Sequence, residues 1–469
     1  MSCERRRRSL ALLAVALTLA GCASVTRDEA IGPVRDWSQR VDADAPQLRA
    51  SGARREELSA QRERLLAAPL TEAAALQLAL ANSPALQVLL AEGWRAQAEA
   101  AQRGAPPNPF FLFERVVTGG DVDITRFLGI GLTELLTWPW RSDIAQRDID
   151  ALRLQLARDV LAHNSEVRAA WVRAVAAQQL VIYHRQVQDA AAASAELARR
   201  MQAVGNFSRL QRAREQAFLA DATTQLARAM AAATVEREAL VRKLGLDAGD
   251  AERLQLPERL PDLPAQTRHG DEVAQRAMNE RLDLLLARAQ LGAAQRATGL
   301  ETVQLFDIEL AAVSELGPGG ERGRGFEAGI RLPLLDPGIA LRQASSAKLL
   351  AAQNRFEQVR IEAGSVLRER YVLYRSAHDV ARHQRDEVVP LKRSITDEML
   401  LKYNGMLVGV FELLADARAQ VGAVIAAIEA QRDFWLADAA LNAALVGAPA
   451  SAATLATANA SAAAERKGH

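Results

Sequence analysis

Cysteine is nearly absent from this 469-residue chain: there are two, Cys3 and Cys22. So few cannot build a framework of internal disulfides, and stability must come from helix packing or assembly. Histidine is scarce, at six residues; His378 and His383 stand five apart, share no helical face and make a poor metal pair. Aromatic residues are 4% of the chain. Neither sign of charge is in excess, and a formal net charge of +1 gives no electrostatic reason to expect nucleic acid as a partner. Phosphate-cradling GxxxxGKS/T loops, HExxH and CxxC are all missing, so no catalytic site, metal or cofactor is expected. After residue 22 no apolar run is long enough for a membrane helix. Proline and glycine are missing from 142 to 202.

What is abundant is alanine, leucine and arginine, which favours long helices. The first residues are laid out as an export signal. Arg5 to Arg8 are cationic, Leu10 to Leu19 form a short apolar stretch, and Leu19-Ala20-Gly21-Cys22 follows. The last four residues resemble a bacterial lipobox, which implies a signal peptide over 1–21 and lipidation (palmitate included) at Cys22. An ordinary secretory signal is the alternative. Ala23, by the same resemblance, favours the outer membrane.

The remaining chain reads as two similar halves. Ala79 and Ala277 stand 198 positions apart, and the same offset aligns Leu86 with Leu284 and Ala91 with Ala289. Trp171 matches Tyr371 and Gly205 matches Gly405 at 200, and Gly245 matches Gly447 at 202. A near-constant offset with one order of elements argues for duplication. Each half predicts helix, two strands, long helix, turn, long helix. The proline-free run from about Ser142 to Gln202 carries an apolar stripe through Leu152, Leu156, Val160, Val167, Trp171 and Val175. About 60 residues at 1.5 Å each give a rod of roughly 90 Å. Breaks are expected at Val204-Gly205-Asn206 and Asn404-Gly405, and a kink or irregular turn at Pro390. The expected divisions are a lipid-anchored segment over 22–70, a first repeat over 71–247 with strands at about 110–135, and a linker over 248–270. A second repeat covers 271–447 with strands at about 302–334, and a disordered tail 448–469.

The strands carry the question of location. Phe306, Ile308, Leu310 and Ala312 alternate with Asp307, Glu309 and Ala311; Phe326, Ala328, Ile330 and Leu332 alternate with Glu327, Gly329 and Arg331. One apolar and one charged face suit either a membrane barrel with a wet lumen or a soluble hairpin, and in the barrel Ile308, Leu310, Ile330 and Leu332 face lipid. Two hairpins per chain cannot close a barrel, and lipid does not tolerate open strand edges. If the strands enter a membrane, several chains must share one barrel.

This order of elements, with Asn108-Pro109 before the first strand, Gly131-Leu132 in the second, and the run Lys402 to Ala417, resembles the TolC family of outer-membrane efflux proteins over roughly residues 70 to 447. The resemblance implies a mainly α fold of long antiparallel helical hairpins that form a trimeric α-barrel. Four transmembrane strands per chain would close a 12-stranded β-barrel. It implies an outer-membrane channel of a tripartite efflux or export system, working as a homotrimer in outer-membrane lipid with a periplasmic adaptor (membrane fusion) protein and an inner-membrane pump. Its helices would extend into the periplasm of a Gram-negative bacterium. The family's adaptor-contact tips fall on Val204, Gly205, Asn404 and Gly405, of which the second pair matches only at glycine. The family's gate tyrosine and acidic residue fall on Tyr403 and Glu412. Its second acidic position falls on Ala415, with Asp416 beside it, so Glu412 and Asp416 read either as part of a gate or as a solvated helix face. The repeat offset places Arg212 opposite Glu412, which suggests alternating charges around a trimer that latch the periplasmic gate. A periplasmic coiled-coil scaffold or adaptor lipoprotein without a membrane barrel is the other reading.

Overall fold

The computed structural model describes residues 25–40, 46, 48, 52–270, 281–300, 307–317, 320–331 and 334–449. The signal segment, Cys22, Leu332 and the tail beyond 449 lie outside the described residues. In chain order the helices are α1 (Arg27–Arg40), α2 (Gly52–Leu66), α3 (Glu72–Asn82) and α4 (Pro84–Arg103). Strands β1 (Phe110–Thr118) and β2 (Asp121–Gly131) follow, then α5 (Leu132–Ala203), α6 (Arg209–Leu244) and the short α7 (Ala248–Arg253). The second half runs α8 (Leu282–Ala297), β3 (Asp307–Leu316), β4 (Arg322–Arg331), α9 (Ile339–His383), a π-turn (Gln384–Val388), α10 (Val389–Asn404) and α11 (Val410–Leu445). Among the described residues no single helix is long and apolar enough to cross a membrane.

The chain folds as two compact units, and each draws on both sequence halves. One comprises Met1–Pro33, Ala91–Leu156 and Asp283–Ile361; the other Val34–Leu90, Ala157–Leu282 and Glu362–His469. The first unit holds a single antiparallel sheet in the order β1-β2-β3-β4. The β3 backbone is tied to the start of α5, where Ile308 N–H donates to Thr133 Oγ1 at 2.9 Å. Trp138 Nε1 donates to Gly104 O at 3.1 Å, and a side chain at Gly104 would collide with Ala145, so α4 and α5 approach closely there.

The expected second strand ran on to Leu135, but it stops at Gly131 and Leu132 to Leu135 are helical. Pro139 lies inside this helix, where its ring leaves the Leu135 carbonyl without a backbone N–H donor four residues on. In the first turn of this helix, carbonyls also accept from side chains: Thr137 Oγ1 donates to Thr133 O at 2.7 Å, and Arg141 Nη2 to Glu134 O at 3.2 Å. The helix runs 72 residues. The irregularity expected at Pro390 is the π-turn immediately before it, where Val389 N–H reaches back to Gln384 O. Proline cannot donate to the carbonyl four residues earlier, and a widened turn absorbs the mismatch.

The second unit contains the main core. Val167, Trp171 and Val175 of the expected stripe are buried there, together with Leu70, Leu78, Leu240 and Leu244. The two halves make matching hydrogen bonds. Trp171 Nε1 donates to Leu70 O at 2.7 Å, and Tyr371 Oη to Arg268 O at 3.1 Å. Asn82 Nδ2 donates to Leu244 O and Gly245 O, while Arg281 Nη1 donates to Ala444 O, so each half caps its last long helix from the chain entering its own repeat. Gly245 and Gly447 both have a left-handed φ, at 69° and 70°; Gly245 caps α6, and Gly447 lies one residue beyond Val446, the cap of α11. The expected linker is a packed strap: Leu254, Leu260 and Leu263 are buried, Gln431 and Trp435 both donate to Pro261 O, and His378 bonds Pro264 O. Ala448, placed in the expected tail, is buried and its N–H reaches Ala443 O at 2.9 Å.

Candidate channel surfaces: two sheet faces and two helical tips

Strand register decides which residues share a face. Ile308 pairs with Ile330, Leu310 with Ala328 and with Ile130, and Phe111 with Leu128. Because side chains alternate along each strand, one face carries Phe111, Leu128, Ile130, Ile308, Leu310, Phe326 and Ile330 and contains no Asp or Glu. The opposite face carries Glu114, Asp121, Asp123, Asp307, Glu309, Glu315 and Glu327, with Arg331 as its only basic residue. Arg331 pairs with Asp307 at 3.5 Å. The acidic face is not uniformly polar: Phe110 lies across Gly129, where a side chain would collide with its ring. Strands β1 and β4 form the two edges of the sheet within the chain.

The helical tips differ from each other. At the first, Gly205 takes φ 81°, Asn206 N–H reaches Met201 O at 2.9 Å, and Ser208 and Gln211 form a reciprocal capping box at the start of α6. Val204 is 70% exposed. At the second, Gly405 has an ordinary φ of −79°, and the left-handed position falls one residue later, on Met406 at 57°. Gly405 is therefore the sequence match of Gly205 but not its conformational match. Met406 and Leu407 are 93% and 78% exposed, Asn404 is exposed, and Gly409 starts α11 with no side-chain cap. Tyr403 sits in the last turn of α10 and accepts the Met406 N–H on its carbonyl at 2.9 Å.

The proposed gate residues are not joined within one chain. Arg212 Nη1 donates to Gln202 Oε1 at 2.8 Å across its own hairpin. Glu412 lies exposed in the first turn of α11, and Asp416 is half-buried one turn on. The ion pair that links the two hairpins is another one. Glu215, 1% exposed, accepts Arg418 Nη2 at 3.0 Å and Ser194 Oγ at 2.8 Å, and the Arg418 guanidinium lies 4.2 Å from the centre of the Phe218 ring. The repeat offset could not reveal it, since it sets Glu215 against Ala415 and Arg418 against Phe218. A signal was present in helical spacing: Glu215 heads a stripe through Phe218, Leu219 and Ala222, which marks it as inward-facing.

Deeper in the same unit, Arg268 Nη2 donates to Asp438 at 3.0 Å and Asn442 Nδ2 to the other oxygen at 2.9 Å. Burial nevertheless pushes the Asp438 carboxyl above the usual carboxylate range, against the pull of Arg268 and Arg168.

Neither a protein-family model nor a curated protein sequence matches the chain. Solved structures do. An outer-membrane protein of Vibrio cholerae, VceC, superposes with a TM-score of 0.67 at 16% identity, covering 83% of this chain and 97% of its own. The CmeC outer-membrane channel of Campylobacter jejuni gives 0.69 at 13% identity, covering 86% and 90%. A membrane protein from Pseudomonas aeruginosa gives 0.67 at 19%, covering 82% and 93%. The fold is that of the TolC-like outer-membrane channels: long helices with a small antiparallel sheet, spanning nearly the full length of those proteins.

Proposed function

We propose that this chain is the outer-membrane channel component of a tripartite efflux or export system. Three copies close one 12-stranded barrel, each giving the four strands β1 to β4, and the helical hairpins line a periplasmic duct. The observation that carries this reading is the sheet. One face is apolar and free of carboxylates, the other bears seven, and both edges are left open in the single chain. In lipid those edges must be paired, so strands that cross a membrane require neighbouring chains. The likeness to outer-membrane channels supports the same assignment.

The partners follow from the same reading. A periplasmic adaptor meets the tips at Val204, Gly205, Asn404 and Gly405, where exposed Val204, Met406 and Leu407 offer apolar contact. An inner-membrane pump feeds the duct. Cys22 carries the lipid that tethers the N-terminus to the outer membrane. Tyr403, Glu412, Asp416 and Arg212 form the narrow end of the duct, with Arg212 and Glu412 of adjacent hairpins attracting one another in the resting trimer.

Purified protein in planar bilayers tests this. A detergent-extracted trimer that gives discrete single-channel currents is the expected result. A protein that washes from membranes without detergent and gives no current would overturn the reading in favour of a periplasmic scaffold.

A further inference from the structure

The apolar face of the sheet is not apolar to its end. Arg126 pairs with Phe113 and with Ser314, and Ser314 pairs with Arg324, so Phe113, Arg126, Ser314 and Arg324 form one row across the four strands. In the next row Arg115, Ile124, Leu316 and Arg322 lie side by side. Four arginines thus share the face of Phe111, Leu128, Leu310, Phe326 and Ile330, all in two adjacent rows toward the turns that close the hairpins after Thr118 and Leu316. All four are exposed and, among the described residues, none makes an ion pair. That same face has no Asp or Glu; every acidic residue of the sheet lies on the other side.

We infer that this arginine belt binds the phosphate groups of anionic lipid in the outer leaflet of the membrane. The inference rests on the barrel reading above. If the apolar face meets lipid, four guanidiniums on it need a counter-charge. The cost of a lipid-facing arginine falls steeply from mid-bilayer toward the interface, so rows next to the turns belong at headgroup depth. With the helices in the periplasm, the turns are on the outer side. Arg115 and Arg126 are diagonal neighbours at roughly 7–8 Å. Arg322 and Arg324 are two residues apart on one strand, roughly 7 Å. Each pair can fork onto one phosphate, since a guanidinium presents parallel N–H donors matched to its oxygens. The rows below supply the apolar surface on which acyl chains pack, with Phe111, Leu128 and Phe326 in the adjoining row. The face therefore has both halves of a site for a phosphorylated lipid, and its uniform sign leaves nothing within it to compete for the arginines.

The test uses the purified trimer in neutral detergent, titrated with bisphosphorylated lipid A, with the dephosphorylated lipid, and with inorganic phosphate as competitor. Binding is read by native mass spectrometry, and single-channel current is read in parallel. Wild type is expected to retain the phosphorylated lipid at least ~10-fold more tightly than the dephosphorylated one. The double variants R115Q/R126Q and R322Q/R324Q should each lose most of that preference. Ser314→Glu, which puts a carboxylate between Arg126 and Arg324 without removing an arginine, should weaken it as well. All variants should conduct as wild type does. Equal retention of both lipids, or unchanged retention in the variants with current intact, overturns the inference and leaves the channel standing. Full displacement of the lipid by inorganic phosphate makes this a free-anion site and overturns the assignment to lipid. Loss of current in the wild type instead refutes the channel reading itself.

Discussion

At the scale of single residues, conformation and burial explain what sequence matching does not. The second tip has its strained position on Met406, an L-residue at φ 57°, beside a glycine that does not use its freedom. A left-handed conformation costs an L-residue about 1–2 kcal/mol. Met406→Gly should therefore firm the turn, slowing amide exchange at Leu407, whose N–H reaches Lys402 O. Gly205→Ala should do the reverse at Asn206 and Phe207; exchange unchanged in both would remove strain from the account of the tips. Asp438 gives a pH prediction. Its carboxyl is raised by burial, so folding favours the protonated form. The sign follows from linkage: that contribution is full below the unfolded carboxylate value and is lost as pH rises through the raised folded value. Asp438→Asn should accordingly gain stability relative to wild type as pH rises above about 4, the ordinary carboxylate value, read as a widening difference in Tm. A difference that shrinks with pH would mean that the Arg268 pair outweighs burial.

At the scale of elements, most of the architecture was legible because it is written in periodicity. Both strand pairs, the break after Ala203 and the disturbance at Pro390 follow from alternation, glycine and proline. Pro139 lies inside α5, near its first turn, where Thr137 and Arg141 side chains donate to backbone carbonyls. The linker prolines misled because their partners are remote in sequence. Pro257, Pro261 and Pro264 read as a spacer, yet Pro261 O and Pro264 O are acceptors for side chains more than a hundred residues away. The Glu215–Arg418 bridge is likewise a contact of tertiary packing, absent from the repeat. The sheet's two faces yield the element-level prediction. Phe326→Arg, in the middle row of the apolar face, should cost about 2–4 kcal/mol near mid-bilayer, while Glu327→Arg beside it on the acidic face should cost little. Trimer recovered from outer membranes measures both, and equal recovery would favour a soluble hairpin.

At the scale of the whole molecule, the two compact units cut across the two sequence repeats, so duplication describes the chain's order and not its folding units. What a single sequence carries least is assembly, because the groups that closure would satisfy are the edges of β1 and β4. The central claim is that β1 of one chain pairs with β4 of the next. Disulfide mapping in intact outer membranes tests it most directly, with one cysteine on β1 at Leu112, Glu114 or Val116 and one on β4 at Gly325, Glu327 or Gly329. Within a chain β1 and β4 are three strand spacings apart, about 14 Å, well beyond the roughly 7 Å limit for a disulfide, so any bond must join two chains. The account predicts that at least one combination oxidises to a covalent trimer and goes no further. No cross-linked product in any combination, or a ladder that stops at dimer or runs past trimer, would contradict it.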